Sequence, residues 1–292
     1  MDKQIVEAMG VKYAVTLASF KDLEPIEKTL ARISPIGFDA VEVYGEPDLL
    51  NAGKLRGELG KFQTDVCGIT GVWGASARSG NDRLLLTSDN AKLKSAEKYV
   101  RDCVKLCAEL GGRHMNVCLF ADTELSVYEK THLFVAPETK LRIYKHALPT
   151  LKGLATFAHE YGVSLFLEPL NRYSTPFCSS AQDALAVSDM LGVESFGVML
   201  DTFHMNIEED SFDRAIRLSG KRLRHVHLAD NNRKMPGFAH IDFSTIIRAL
   251  DGINYSGYMT FEPTIASADG YEDSLKKGLQ FIQSLSKQSS LS

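Results

Sequence analysis

The feature that most constrains the fold of this 292-residue chain is a regular alternation of short apolar runs with amphipathic segments. The apolar runs have the length and composition of β-strands, and the segments between them carry apolar residues at helical spacing. The predicted strands are 13–17, 38–43, 64–69, 114–119, 163–168, 197–201, 223–228 and 257–262. The predicted helices are 23–33, 49–59, 88–110, 138–161, 181–191, 212–218, 243–250 and 272–285. Pro149 predicts a kink or a break in the fourth helix.

Strands that alternate with helices form a parallel sheet with the helices outside it, which is an α/β fold. Eight strand–helix units in a chain of this length favour closure into a (β/α)8 TIM barrel over an open, doubly wound sheet. The open sheet would carry a glycine-rich phosphate turn after its first strand, and residues 18–22 read Ala-Ser-Phe-Lys-Asp. Because no linker or composition break interrupts the pattern, we expect residues 1–292 to form a single barrel domain.

The net charge of −4 gives no basic surface for nucleic acid or an anionic membrane. No apolar run approaches the roughly 18 residues of a membrane span, and no signal-type stretch follows the first residues. We therefore expect a cytoplasmic protein. Its five cysteines contain no C-x-x-C pair and are expected to be buried, reduced thiols.

Four consecutive predicted strands in the second half each end on one side chain that can bind a metal. These residues are Glu168, Asp201, His227 and Glu262. Their separations each correspond to about one strand–loop–helix unit, so parallel strands bring them to the same end of the barrel, where functional residues of this fold lie. Crowded carboxylates repel one another unless a cation compensates them. The pattern predicts one divalent ion per chain. The oxygen-rich set favours Mn²⁺, with Co²⁺ and Mg²⁺ as alternatives, over the zinc of a thiolate-type site.

Other polar residues lie near these strand ends. His204 is expected in a loop just past Asp201, and Arg233 in the loop after His227; Arg233 is predicted to contact substrate. His225 shares a strand face with His227 but lies further from the strand end, so it is predicted to be a core histidine or one that supports the ligands. Glu42 lies near the end of the second strand and receives no assigned role.

Five segments of the C-terminal half resemble the ketose 3-epimerase branch of the xylose isomerase-like TIM barrel superfamily, which includes D-tagatose and D-allulose 3-epimerases. The segments are 168–173 (EPLNRY), 201–209 (DTFHMNIEE), 225–233 (HVHLADNNR), 236–237 (PG) and 240–243 (HIDF). The resemblance implies that Glu168, Asp201, His227 and Glu262 ligate the metal and that Glu168 and Glu262 are also the acid/base pair. It implies that His204 and Arg233 contact substrate oxygens, and that the protein is a homodimer or homotetramer.

The chain departs from this pattern at two positions. Ser174 stands where the family usually has a glutamate near the substrate, and Ala239 replaces a second glycine. The departure at Ser174 leaves the preferred sugar open. The absence of a glycine-rich phosphate nest after the last two strands favours a free ketose over a phosphorylated one.

The predicted reaction is inversion at C3 of a ketose through an enediolate, with one glutamate on each face of the carbon. An aldose–ketose isomerase, or a related sugar phosphate or sugar acid isomerase, is the alternative on the same metal site. A DNA-repair endonuclease on this barrel would need additional histidine ligands after the third and fourth strands, and the acidic net charge also disfavours it. A non-catalytic sugar-binding barrel would have no need of two glutamates at a metal.

Overall fold

A computed structural model describes residues 10–74, 83–121 and 135–289 and shows a closed barrel of eight parallel strands. Each strand pairs with its neighbours in chain order, and the first pairs with the last through the register Ala14↔Thr260. The predicted (β/α)8 barrel is therefore confirmed. The strands are β1 (Lys12–Thr16), β2 (Ala40–Gly45), β3 (Asp65–Gly71), β4 (His114–Val117), β5 (Ser164–Leu167), β6 (Phe196–Asp201), β7 (Leu223–Leu228) and β8 (Tyr258–Phe261).

The helices surround the barrel. Within the described residues they are α1 (Ile26–Ile33), α2 (Ala52–Lys61), α3 (Asn90–Glu109), α4 (Pro137–Glu160), α5 (Ala181–Leu191), α6 (Thr202–Glu208), α7 (Phe212–Ser219), α8 (Phe243–Gly252) and α9 (Tyr271–Ser289). Single 3₁₀ turns occupy Leu17–Phe20, Ser34–Ile36 and Gly220–Arg222. The helix α4 is continuous across Pro149, so the break that the sequence allowed does not occur.

One helix was not predicted. The sequence placed His204 in a loop, whereas it lies in the short helix α6 directly after β6. Asp201 begins this helix, since its side chain accepts a hydrogen bond from the Phe203 amide at 2.8 Å. The Thr202 hydroxyl donates to the carbonyl of Ala229 at 2.6 Å and fixes the same turn to the end of β7. A helix of seven residues is too short to produce a readable apolar period, which is why the pattern missed it.

Apolar residues on the outer faces of the strands and the inner faces of the helices form one continuous buried core. Val43, Met115 and Leu165 contribute to it from the strands, and Val100 and Leu154 from the helices. All five cysteines are buried and free, as expected. No helix in the described ranges combines the length and apolar character needed to cross a membrane. The cytoplasmic location stays a prediction.

The barrel interior is largely polar. Residues at every second position of a strand face inward, as in His114 and Asn116 on β4 and His225 and His227 on β7. Glu42 on β2 reaches the same space, and its carboxylate contacts the three histidines His114, His225 and His227. The polar side chains of the interior are thus held by one another as well as by the strands that carry them.

Helix α8 depends on an aspartate at its N-cap. Asp242 accepts hydrogen bonds from the amides of Ser244 at 3.0 Å and Thr245 at 3.3 Å and from both of their hydroxyls. Asp242→Ala is expected to lower the free energy of unfolding by about 1 kcal/mol, because two helix amides lose their acceptor. Chemical denaturation of this variant and wild type measures the difference, with Asp269→Ala, an exposed aspartate in the loop before α9, as the control.

The same cap predicts a pH dependence. Hydrogen bonds from Ser244 and Thr245 hold the pKa of Asp242 at about 2, below its ordinary value. A carboxylate with a lowered pKa stabilises the fold above the ordinary pKa and loses that contribution as the pH falls toward the lowered one. The difference between wild type and Asp242→Ala should therefore persist above about pH 4 and shrink toward about pH 2. A difference that stays constant over this range would show that the ionised cap contributes nothing.

Candidate active site

The structure brings the four predicted metal-binding residues together at the C-terminal end of the barrel. Asp201 is the last residue of β6 and His227 lies opposite it in the register of β7. Glu168 and Glu262 each follow the last residue of a strand, and their amides donate to carbonyls of the neighbouring strands at 3.0 Å. One ligand atom from each of the four lies within 4.8 Å of the others, so this group can hold a metal ion. Their assignment as ligands stays a prediction.

The imidazole of His227 is oriented from both sides. Its Nδ1 lies 2.9 Å from Glu262 Oε2, and its Nε2 lies 2.9 Å from Glu42 Oε2 deeper in the barrel. A carboxylate that accepts from one ring nitrogen fixes the tautomer and leaves the other nitrogen free to ligate a metal. Glu42 therefore positions His227 with Nδ1 toward the carboxylates of the site.

The two glutamates differ in their protonation. Burial and the nearby carboxylates of Glu262 and Asp201 together raise the pKa of Glu168 to about 7, against the opposing effect of His227. Burial also acts to raise the pKa of Glu262, but Arg233 and His227 outweigh it and hold this pKa at about 2. Two carboxyl groups whose environments separate their pKa values in this way are suited to act as an acid and a base.

Each glutamate also has its own hydrogen-bond partners. The Asn116 amide donates to Glu168 Oε2 at 2.6 Å, and the Cys118 thiol lies 3.6 Å from the same oxygen. Arg233 donates to Glu262 Oε2 at 2.5 Å. The neutral Asn116 donor lowers the pKa of Glu168 too little to offset burial, whereas the guanidinium of Arg233 lowers the pKa of Glu262.

Arg233, which the sequence assigned to substrate contact, lies directly over the site. Its guanidinium pairs with Asp201 as well as with Glu262, and it stacks on the Phe203 ring with Cζ 4.8 Å from the centroid. Arg233 adopts a positive φ of 59°, a conformation uncommon for a residue with a side chain. Its amide donates to the Asp230 carbonyl and its own carbonyl accepts from Thr264, and these bonds hold the turn.

His204 lies beside Asp201 with a defined tautomer. Its Nδ1 accepts the amide hydrogen of Asn171 at 3.1 Å, so Nδ1 carries no proton. Burial lowers the pKa of His204, which keeps the ring neutral near pH 7 and leaves the proton on Nε2. Nε2 lies 3.7 Å from Asp201 Oδ2. The side chain thus presents one N–H donor at the edge of the metal-binding group.

These residues open into a cavity of about 1030 Å³. Its wall includes Glu168, Glu262, His204 and Arg233. It also includes Ser174, a position that the family resemblance places near the substrate. Aromatic and aliphatic side chains complete the wall, namely Trp73, Phe120, Phe203, Leu170 and Ile265. A cavity of this size with a few convergent polar groups accommodates a small, polar organic molecule such as a monosaccharide.

Sequence analysis missed several residues that support the site. Glu42 had no assigned role, and Asn116 and Asn171 were not singled out at all. The available signal for Asn116 was its spacing of two from His114, which places both polar side chains inside the barrel. His225 is buried beside Glu42, as predicted, and burial lowers its pKa to about 3.

Comparison with known proteins identifies relatives that agree with the resemblance seen in the C-terminal motifs. The sequence profile described as "Xylose isomerase-like TIM barrel" matches residues 30–285. The D-psicose 3-epimerase of Enterocloster bolteae is 36% identical over 286 residues, covering 97% of this chain and 92% of the relative. The L-ribulose 3-epimerase of Mesorhizobium japonicum is 29% identical over 255 residues, covering 87% and 80% of the two chains.

A solved structure supports the same fold. The D-psicose 3-epimerase of Clostridium cellulolyticum H10, determined with D-tagatose, superposes with a TM-score of 0.78 at 22% identity, covering 94% of this chain and 99% of that one. The profile match and the 36% identical relative confirm the resemblance read from the C-terminal motifs. With a profile match over most of its length and a 36% identical relative, the chain belongs to the xylose isomerase-like TIM barrel family.

Proposed function

We propose that this protein is a metal-dependent ketose 3-epimerase that inverts C3 of a free ketose by proton transfer at Glu168 and Glu262. Its relatives carry epimerase names, which makes it an enzyme of the isomerase class. The observation that carries the proposal is the group of three carboxylates and one imidazole at the end of the barrel, whose two glutamates line a cavity that can accommodate a monosaccharide.

The residues present fit a divalent cation. Three carboxylates and one imidazole form an oxygen-rich donor set, so we propose Mn²⁺ as the resident ion, with Co²⁺ or Mg²⁺ as alternatives. Glu168, Asp201, His227 and Glu262 would hold it. When bound, the ion supplies Lewis-acid stabilisation of negative charge that develops on the neighbouring sugar oxygens.

The two glutamates would carry the proton transfers. Glu262, held ionised by Arg233, removes the C3 proton from one face of the sugar in one direction of the reaction. Glu168 returns a proton to the opposite face of the carbon. In the reverse direction the two exchange roles. Their strands, β5 and β8, are not neighbours in the barrel, which allows the carboxyl groups to approach a planar intermediate from two sides.

His204 and Arg233 would orient the sugar. The Nε2–H of His204 and the guanidinium N–H groups of Arg233 line the cavity and can donate to hydroxyl or carbonyl oxygens. Arg233 also holds Glu262 and Asp201, so it couples substrate binding to the positions of two proposed metal ligands. By its resemblance, the protein is further proposed to be a homodimer or homotetramer, which size-exclusion chromatography with light scattering would measure.

The proposal is tested by NMR in D₂O. The Mn²⁺-loaded protein is offered D-fructose, D-tagatose, D-allulose, L-ribulose and D-xylulose separately, and the position of deuterium incorporation is followed. We expect deuterium at C3 together with the C3 epimer. Deuterium at C1 with an aldose product would instead establish the aldose–ketose isomerase alternative. Absence of exchange into every free ketose would contradict the proposal and direct attention to phosphorylated or acid sugars.

A further inference from the structure

A second group of polar side chains meets inside the barrel, beneath the candidate active site. Glu42 comes from β2, His114 from β4 and His225 from β7. The Nε2 atoms of His114 and His225 lie 2.9 Å and 2.5 Å from the same oxygen, Glu42 Oε1. One ligand atom from each residue lies within 4.8 Å of the others. All three residues are buried, so the group is shielded from solvent.

Hydrogen bonds among the described residues satisfy the carboxylate of Glu42 but leave one nitrogen of this group without a partner. Glu42 Oε2 is already engaged by His227 and by the Thr70 hydroxyl, and Oε1 also accepts from Thr260 at 3.2 Å. Among the residues that the structure describes, the buried Nε2 of His225 has no hydrogen-bond partner, although it lies close to Oε1. Leaving a buried polar atom unsatisfied is unfavourable, so a bound ligand would stabilise this nitrogen.

The structure leaves room around the two imidazoles. Gly68 on β3 lies against the ring of His114, and a Cβ at this position would overlap the ring atoms. A separate cavity of about 470 Å³ contacts both His114 and His225. It is also lined by Asp65, Ser164 and Gly257, which lie at the N-terminal ends of their strands or just before them. The group is therefore approached from the end of the barrel opposite the candidate active site.

We propose that Glu42, His114 and His225 form a second divalent-cation site of the zinc type inside the barrel. Two imidazole nitrogens and one carboxylate oxygen are a donor set that Zn²⁺ and Co²⁺ bind tetrahedrally, with the fourth position open to water. This set is richer in nitrogen than the oxygen-rich group above it, so the two sites should prefer different ions. The ion would give His225 Nε2 the partner it lacks.

Glu42 connects the two sites. One of its oxygens faces His114 and His225, and the other faces Nε2 of His227 in the candidate active site. A cation on the lower side would fix the carboxylate and, through it, the ring of His227. The second site would thus position His227, and the proposal does not depend on which reaction the candidate active site catalyses.

Metal content tests the proposal. The full-length protein is stripped with a chelator, dialysed against Zn²⁺ or Co²⁺, and analysed by mass spectrometry for bound metal. We expect about two equivalents per chain in wild type and about one in His114→Gln and in Asp201→Asn, which remove one site each. His159→Gln, an exposed histidine on α4, is the control and should keep the wild-type content.

Spectroscopy identifies which site is filled. Co²⁺ bound to Asp201→Asn should show the intense visible bands of a four-coordinate ion, and these bands should disappear when His114→Gln is added. Gly68→Ala should also abolish the second equivalent, because the new methyl group displaces the His114 ring, whereas Gly57→Ala lies in open space and should not. Circular dichroism establishes that each variant is folded.

Two results would overturn the proposal. One is a wild-type protein that binds only about one equivalent at saturating metal and loses it in Asp201→Asn but not in His114→Gln. The other is a second equivalent that survives both His114→Gln and Gly68→Ala. A protein that binds two ions but epimerises no ketose would contradict the proposed function and leave the second site standing.

Discussion

Replacing either Glu168 or Glu262 by glutamine is expected to reduce epimerase turnover roughly 10³-fold or more, since general acid–base groups typically contribute 10²–10⁴-fold. Glutamine keeps the shape of the side chain and one oxygen that can ligate a metal, but it cannot accept or return a proton at the sugar carbon. Because the two carboxyl groups serve opposite faces of C3, loss of one should stop inversion in both directions.

Isotope exchange distinguishes this scheme from one in which a single base does all the work. With one glutamate intact, the remaining base can still remove and return the proton on its own face. One C3 epimer should therefore exchange its C3 hydrogen with D₂O without being converted, and the opposite epimer should do so in the other variant. We would measure exchange and conversion by NMR, starting from each epimer of the preferred ketose.

A matched control separates the chemistry from metal loss. Glu194→Gln changes an exposed glutamate in the loop before β6 and should keep wild-type turnover. Bound Mn²⁺ is measured in all variants, and the comparison uses protein loaded to equal metal content. Near-wild-type turnover in either Glu168→Gln or Glu262→Gln at equal metal content would rule out the two-base mechanism.

Removing the metal is the second large effect. Chelation should abolish turnover, because the three carboxylates of the candidate active site lose the cation that compensates their charge. Adding Mn²⁺ should restore turnover. At a free-ion concentration about 100 times the dissociation constant, binding to the folded state adds about 2.7 kcal/mol of stability. For a chain of this size we expect the melting temperature to rise by roughly 5 °C. Activity and thermal denaturation of stripped and reloaded protein measure both effects.

The affinity for the ion should also depend on pH in a defined direction. A carboxyl group must lose its proton to ligate a metal, and the pKa of Glu168 in the protein is about 7. Protons therefore compete increasingly with the ion as the pH falls from about 7 to 5, and the apparent affinity should decrease over this range. Isothermal titration with Mn²⁺ at several pH values measures it. Full turnover after exhaustive chelation, or an affinity that rises on acidification, would contradict the assigned ligand set.

Much of the fold and part of the site were readable from the sequence. A strand in a parallel barrel has a short apolar run and a fixed place in the chain, so the eight units and their order followed from local patterns alone. Strand ends were equally readable, which is why Glu168, Asp201, His227 and Glu262 could be assigned to one end of the barrel. That inference rested on the spacing of successive units along the chain and required no knowledge of long-range contacts.

The supporting residues could not be found in this way. Glu42 and His227 are 185 residues apart and meet only because β2 and β7 face each other across the closed barrel. Asn116 and Glu168, like Asn171 and His204, come from neighbouring strands or the segments after them, and they meet through contacts between units that local periodicity does not record. The short helix α6 was missed because Asp201 and the end of β7 stabilise it, and its own sequence has too few residues to show a period.

The sequence by itself determined the barrel, the family motifs and the positions of the four strand-end residues, because these depend on local periodicity and on spacing along the chain. The tertiary structure alone decided how the residues act on one another. It separates the pKa values of two otherwise similar glutamates, fixes the tautomer of His204, and gathers Glu42, His114 and His225 into a buried group. These properties arise from burial and from charges on distant strands, and both exist only once the barrel has closed.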